Sequence, residues 1–585
     1  MLLRHFRLSA AVLLAMGLLL PFEAGSATAK KQDPLPEVQG LAGSYLAGRM
    51  ASGYKDFDAS ATYLKRALSY DPKNIELASR AFVLLVAAGR IEESIDLAKR
   101  LKNEKDTDKL IRLVTATNDF HENNLPAAIK HLDLPKKGPV TDITGGLLGA
   151  WAMHGTGKPK AAIEVLDRLK GPDWFAIFRD YHAGLISELN GDKAEAHARF
   201  QRAYLADSKI LRLAQAYAIN LARDGKRDEA LQVVNKYLAT TPNNMMMIRL
   251  AEDIKTGVDV KQLATTPVQG AGEVMFGLGS ALARNGGDEL AAIYLQLALY
   301  LDETNALSLI SLADLYDQLK QPDRVIDTLR LVKADSPLKA SSELQLAVVL
   351  DAQEKTDEAV KHLEGILEKN PKDMEALLTM GNILRVHKRF AEAEPYYTRA
   401  VTLVEKPVQR HWPMFYFRGI TYERIKQWPK AEADLKKALE LQPNQPSVLN
   451  YLGYSWIDQN INLTEGMDML KRAVGQDPKN GYVIDSVGWA YFRMGKYEDA
   501  VSWLERAIEE KPGDPVINDH LGDAYWQVGR KLEAYFQWRH AKDMKPEPED
   551  LARIEKKLKD GLVSGSSSPE PALGMQTVPE KTQKN

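Results

Sequence analysis

The strongest constraint on this chain is a period. Residues 483–512 read VIDSVGWAYFRMGKYEDAVSWLERAIEEKP and residues 516–546 read VINDHLGDAYWQVGRKLEAYFQWRHAKDMKP, which sets their closing prolines, Pro512 and Pro546, 34 residues apart. Like residue types fall at like offsets: Gly488 with Gly522, Tyr491 with Tyr525, Ala500 with Ala534, Leu504 with Trp538, and Ala507 with Ala541. Each type has a physical task. Gly and Ala stand where two helices cross closely, Tyr and the bulky Leu or Trp fill the space between neighbouring helix pairs, and Pro ends the second helix. One such helical hairpin cannot bury its own apolar face, so the copies must stack.

The phase runs through most of the 585 residues. Repeat starts fall near Leu41, Ile75, Lys109, Ile143, Ile177 and Leu211, and again near Gly272, Ala306, Ser341, Met374, Trp412, Pro446, Gly481 and Pro515. Gly89, Gly157, Gly191, Gly225 and Gly495 mark turns at one phase of the repeat. This pattern resembles the tetratricopeptide repeat, and the resemblance implies an all-α fold of helical hairpins stacked into a right-handed superhelical solenoid. From Leu211 to Gly272 is 61 residues, seven short of two repeats, and the stretch between is rich in Gly, Thr and Pro. Two arrays are therefore expected. Residues 41–244 form an N-terminal array of divergent repeats, 245–271 an interruption or hinge, and 272–546 a C-terminal array. Leu551, Ile554 and Leu558 share one helical face, which predicts a capping helix over 547–562, and the composition of 563–585 predicts a disordered tail.

The first 29 residues read as an export signal. Two arginines precede the apolar run Leu8 to Leu20, Pro21 ends it, and Ala27 and Ala29 satisfy the small-x-small rule, so cleavage is expected after Ala29, with a linker over 30–40. The run is shorter than the roughly 20 residues that span a bilayer. A soluble periplasmic protein is the expectation; the alternative is an inner-membrane protein held by an uncleaved leader. The sequence contains no cysteine, which removes disulfides, thiol nucleophiles and a lipid-bearing cysteine together. Lys and Arg total 77 against 79 Asp and Glu, a net charge of -2 that argues against a general nucleic-acid binder.

Catalytic motifs are missing where they could be sought. HGTGKPKAA at residues 154–162 lacks the first Gly and the Ser or Thr of a phosphate loop. HENN at residues 121–124 lacks the second His of a zinc-binding helix, and no Gly-x-Ser-x-Gly elbow occurs. No enzyme activity, cofactor or metal is expected.

Seven of the nine tryptophans lie between Trp412 and Trp538. Trp456 and Trp538 fall at core positions of the repeat. In the tetratricopeptide family the inner groove is lined by set positions of each first helix, and the resemblance places Tyr416 and Ile420, Asn450 and Tyr454, Asp485, Trp489 and Phe492, then Asp519, Asp523 and Trp526 there. The expected groove alternates rings with Asn and Asp, suited to a peptide or helix with basic or amide-rich surface. The same rings would serve equally as packing between neighbouring repeats. Residues 448–530 also resemble the C-terminal repeats of exported proteobacterial tetratricopeptide proteins, some of which are adaptors of carboxyl-terminal processing proteases and their cell-wall hydrolase substrates. That resemblance implies a non-catalytic envelope scaffold or adaptor. The alternatives are a structural part of an envelope or polysaccharide-export assembly and, ranked last, the carrier array of an enzyme such as a glycosyltransferase.

Overall fold

The structure is a computed structural model that describes residues 38–101, 107–132 and 138–562. The expected signal peptide, the cleavage point at Ala29 and the tail 563–585 lie outside the described residues. Among the described residues there are 30 α-helices, one short 3-10 turn and no strand, so the chain is all-α as its period requires. The described residues form two compact units, divided between His362 and Leu363.

Local chemistry sets the helix boundaries. Asp56, Asn74, Asp192, Asn244, Asn305 and Asp373 each accept a backbone N–H of the helix they precede, satisfying donors that the first turn leaves free. Gly89, Gly157, Gly191, Gly225 and Gly495 all have positive φ, as their place in the repeat predicts. Elsewhere the same left-handed position is held by Lys55, Lys320, Lys388 and Lys426, residues that carry no turn signal. Close crossing accounts for the repeated glycine within the first helix. A Cβ on Gly488 would stand 2.6 Å from Leu504 Cγ, and one on Gly522 would stand 2.5 Å from Trp538 Cδ1.

In the first unit, hairpins run in sequence from Gly40–Gly53 with Phe57–Tyr70 to Leu211–Arg223 with Arg227–Leu238. Residues 245–271 lie inside this unit. Met245–Thr256 is itself a helix, closed by Gly257 at φ 76°, and the next helix opens at Pro267 behind the cap Thr266. The hairpin that follows, Pro267–Arg284 with Asp288–Leu301, does more than continue the stack. It packs against Ile75–Ala87, Asp108–His121, Pro139–Gly155 and Phe175–Leu189, the first helices of four earlier repeats. The short interval lets the chain double back and fill the face its own first array makes.

That contact is specific. Tyr294 and Thr144 share a hydroxyl hydrogen bond of 2.7 Å, and Tyr300 donates to Asn118 Oδ1 at 2.8 Å. Glu273, buried mid-helix, accepts from Tyr181 at 2.9 Å and pairs with Arg212. Gly270 lies flat on the Trp151 indole, where a Cβ would approach to 2.2 Å. At the rim Arg324 meets Asp58 at 2.6 Å and Arg80 meets Glu289 at 2.9 Å.

The second unit carries the hairpins Met374–Val386 with Phe390–Thr402, Trp412–Arg424 with Trp428–Leu441, Pro446–Asp458 with Leu463–Gln476, Gly481–Arg493 with Tyr497–Glu510, and Pro515–Gln527 with Lys531–Asp543. The helix Pro548–Asp560 packs on the last of them and buries Ile554. Just before that helix, Glu547 reaches Lys388 of the unit's first hairpin at 3.5 Å. Trp456 and Trp538 are fully buried, in keeping with the core role their repeat positions imply.

Candidate functional site: the first-helix face of the second unit

Every residue assigned to the groove from sequence sits on a first helix of the second unit. Tyr416 is on Trp412–Arg424, Asn450 and Tyr454 on Pro446–Asp458, and Asp485, Trp489 and Phe492 on Gly481–Arg493. Asp519, Asp523 and Trp526 are on Pro515–Gln527. Phe492 and Trp526 are half-buried and the other eight, Ile420 on Trp412–Arg424 among them, are buried. They form two groups of different character.

The first group is aromatic. Trp489 lies between Phe492 and His520, with ring centroids 4.6 and 4.0 Å away and planes within 14° of parallel. His520, which the sequence reading passed over, joins the stack from the next repeat. Its Nδ1 lies 3.0 Å from an Asp485 oxygen, which fixes both ring and carboxylate. The Trp489 indole N–H is buried and meets no acceptor among the described residues. Tyr416 packs between Trp412 and Tyr451, 5.8 and 6.1 Å away. Burial pushes its phenol pKa up, so it stays neutral.

The second group is ionic and is already engaged. Lys557, from the final helix, donates to Asp519 Oδ2 at 2.7 Å and to Asp523 Oδ2 at 2.8 Å. Burial alone would lower the Lys557 pKa, but Asp523 and Asp519 outweigh it and the pKa is raised. Asp523 also accepts from the Trp538 indole at 2.9 Å. Gly561 abuts Trp526, where a Cβ would stand 2.4 Å from the indole. Asp485 faces His520, Asp519 and Asp523 face Lys557, and Asp458 faces Arg493 at 2.9 Å. The surplus of negative charge expected from sequence is thus met within the chain. A lysine on the apolar side of the last helix, three residues after Ile554, was the sequence signal for it.

Three segments match family models described as tetratricopeptide repeats, over residues 51–116, 344–407 and 486–514. The chain carries tetratricopeptide repeats. A curated relative, "TPR repeat-containing protein PA4667" of Pseudomonas aeruginosa, is 29% identical over 87 residues. That match takes in 15% of this chain and 15% of the relative's length. Among solved structures, a tetratricopeptide repeat protein from Parabacteroides merdae covers 43% of this chain and 98% of its own at 17% identity and a TM-score of 0.38. The Cut9–Hcn1 hetero-tetramer of the APC/C covers 88% and 95% at 15% identity and a TM-score of 0.36. As a tetratricopeptide protein, the chain is consistent with a protein-binding scaffold. No helix among the described residues is long and apolar enough to cross a membrane.

Proposed function

We propose that this chain is a non-catalytic, exported scaffold that holds an envelope protein on the first-helix face of its second unit. The comparable face of the first unit is filled by the chain's own hairpin over 267–301, and the C-terminal end of the second is covered by the helix Pro548–Asp560. The surface left to a partner is that of Met374–Val386, Trp412–Arg424, Pro446–Asp458 and Gly481–Arg493. The observation that carries this reading is the Trp489 indole N–H, a buried donor with no acceptor among the described residues, set in a three-ring stack. A donor so placed costs free energy until a partner carbonyl meets it. In this reading a partner segment runs past Trp489 and Phe492 toward Tyr454 and Tyr416, and a protease or cell-wall hydrolase brought there is placed beside its substrate.

The test is affinity capture from periplasmic extract with the chain starting at Lys30, beside Trp489→Phe and the double variant Trp489→Ala/Tyr454→Ala. Trp489→Phe keeps the stack and removes the donor. A defined protease or hydrolase held by wild type and lost from variants with unchanged circular dichroism supports the adaptor reading. Equal capture by all three moves the partner surface off these residues.

A further inference from the structure

The two ends of the described chain are finished differently. At one end the helix Pro548–Asp560 turns Ile554 inward and leaves Glu549, Glu555, Lys556 and Lys559 in water, the polar outer side that the last element of a stack needs. At the other stands Gly40–Gly53, GLAGSYLAGRMASG, with Arg49 as its one charged residue. Its inner side is fixed. Ser44 and Gly48 are buried, and a Cβ on Gly48 would stand 2.6 Å from Leu64 Cδ2. Its outer side is apolar: Leu46, Met50 and Tyr54 are 66%, 65% and 71% exposed, and Leu41 and Tyr45 beside them are exposed as well.

Met50 holds the place that Leu84, fully buried, takes one repeat later, so this side of the helix lacks the cover that stacking gives its successor. Together the five side chains expose on the order of 600 Å², the upper limit for the largest apolar patch of an ordinary monomer and most of the about 800 Å² that one side of a standard interface buries. Their order is self-complementary. Ala42, Leu46, Met50 and Tyr54 form one row, four residues apart, and all four are exposed. Against an antiparallel copy turned about the level of Gly48, Leu46 of each chain meets Met50 of the other, and the smallest residue of the row, Ala42, meets the largest, Tyr54. Tyr45 of each then lies beside Arg49 of the other, so the one charge on the face meets an aromatic ring at the rim. No carboxylate stands on this helix to call for a basic partner.

We propose that this face of Gly40–Gly53 is an interface with a second copy of the chain, the two helices packing antiparallel about a two-fold axis. Such a contact needs one surface that fits itself, and the row Ala42, Leu46, Met50 and Tyr54 supplies it. Ridges of residues four apart are those that interdigitate in the commonest helix packing. The pairing is closed, so it ends at two copies and does not grow into a filament. It is independent of the surface assigned to a protein partner on the second unit. A dimer carries that surface twice, which raises avidity for a partner that is itself multivalent.

The experiment is sedimentation equilibrium of the chain starting at Lys30, across a concentration series, for wild type and Leu46→Glu/Met50→Glu. Both side chains are exposed in the single chain, so the fold is kept, which circular dichroism checks. Wild type is expected to approach twice the mass of one chain and to stop there. The double variant, which would set four carboxylates together, is expected to associate about a hundredfold more weakly. Because the sequence has no cysteine, introduced thiols report the register. Ala42→Cys and Tyr54→Cys, mixed and oxidised, are expected to cross-link to each other and not to themselves. Residues 42 of the two copies stand about 18 Å apart along the helix, by its rise of about 1.5 Å per residue. A wild type that is monomeric throughout, assembly beyond two copies, equal association of the double variant, or cross-links as abundant in the separate pools as in the mixture each overturn the proposal. So does a monomer that floats with vesicles of anionic phospholipid, which would give the face to a lipid surface instead.

Discussion

Lys557 Nζ lies 2.7 Å from Asp519 Oδ2, tying the final helix to the first-helix face of the last repeat. Asp523 takes a second bond from the same ammonium, and all three side chains are largely buried. Removing the cation leaves two carboxylates side by side out of water. Lys557→Met is expected to cost about 3–5 kcal/mol in the stability of this end of the chain. Adding Asp519→Asn and Asp523→Asn to it should restore much of the loss. Hydrogen exchange over 515–560 reads both effects, and additive losses in the triple variant would contradict the account.

One buried carboxylate contributes to holding the hairpin over 267–301 in the first unit. Glu273 accepts from Tyr181 and pairs with Arg212, so Glu273→Ala leaves the guanidinium with Gln215 but without its carboxylate. A loss of about 3–5 kcal/mol is expected, as for other broken buried pairs. Proteolysis or hydrogen exchange should localise it to 267–301 and to the helices beneath, with the second unit's repeats unaffected.

The period made the helices legible, and the glycines made many of the turns so. What escaped reading was which surface each hairpin covers. PVQGAGEVMFGLGSALAR fits the repeat as any first helix would, yet up to its terminal Arg284 it is apolar nearly all round with one charge, Glu273, the pattern of a helix enclosed on every side. Its partners, Trp151 beneath Gly270 and Tyr181 and Arg212 at Glu273, lie far earlier in the chain, and no local rule connects them. Turns at Lys55, Lys388 and Lys426 were hidden because lysine is seldom left-handed. At the candidate site the family positions fall on first helices of the second unit, but His520 and Lys557, which pair with residues at those positions, were missed. Their roles come from what faces them, and that is decided only in packing.

Acid sensitivity should trace to His182. The ring is fully buried, its Nδ1 accepts from the Trp151 indole at 3.1 Å, and burial lowers its pKa from 6.5 to about 3. The folded state therefore holds this histidine neutral while the unfolded chain protonates it. Its contribution is complete above pH 6.5 and is lost as pH falls toward 3, at a rate of up to about 1.4 kcal/mol per pH unit. His182→Asn is expected to lower stability at pH 7.5 and to flatten the acid limb relative to wild type in denaturant titrations. Parallel acid limbs would assign the sensitivity to other groups.

Helix crossing at the last repeat leaves no room for one methyl group. A Cβ on Gly522 would meet Trp538 Cδ1 and Nε1, both at 2.5 Å, and that indole is wholly buried and donates to Asp523. Gly522→Ala must push the ring aside and break the bond, for a loss of about 1–3 kcal/mol. Gly475, exposed and within the helix Leu463–Gln476, has no neighbour within 4 Å of such a Cβ. Gly475→Ala should stabilise by about 0.5–1 kcal/mol through helix propensity alone. Urea unfolding of the pair checks the sign at each site. Were both to destabilise equally, the close crossing of Pro515–Gln527 with Lys531–Asp543 would not be the reason for glycine at Gly522.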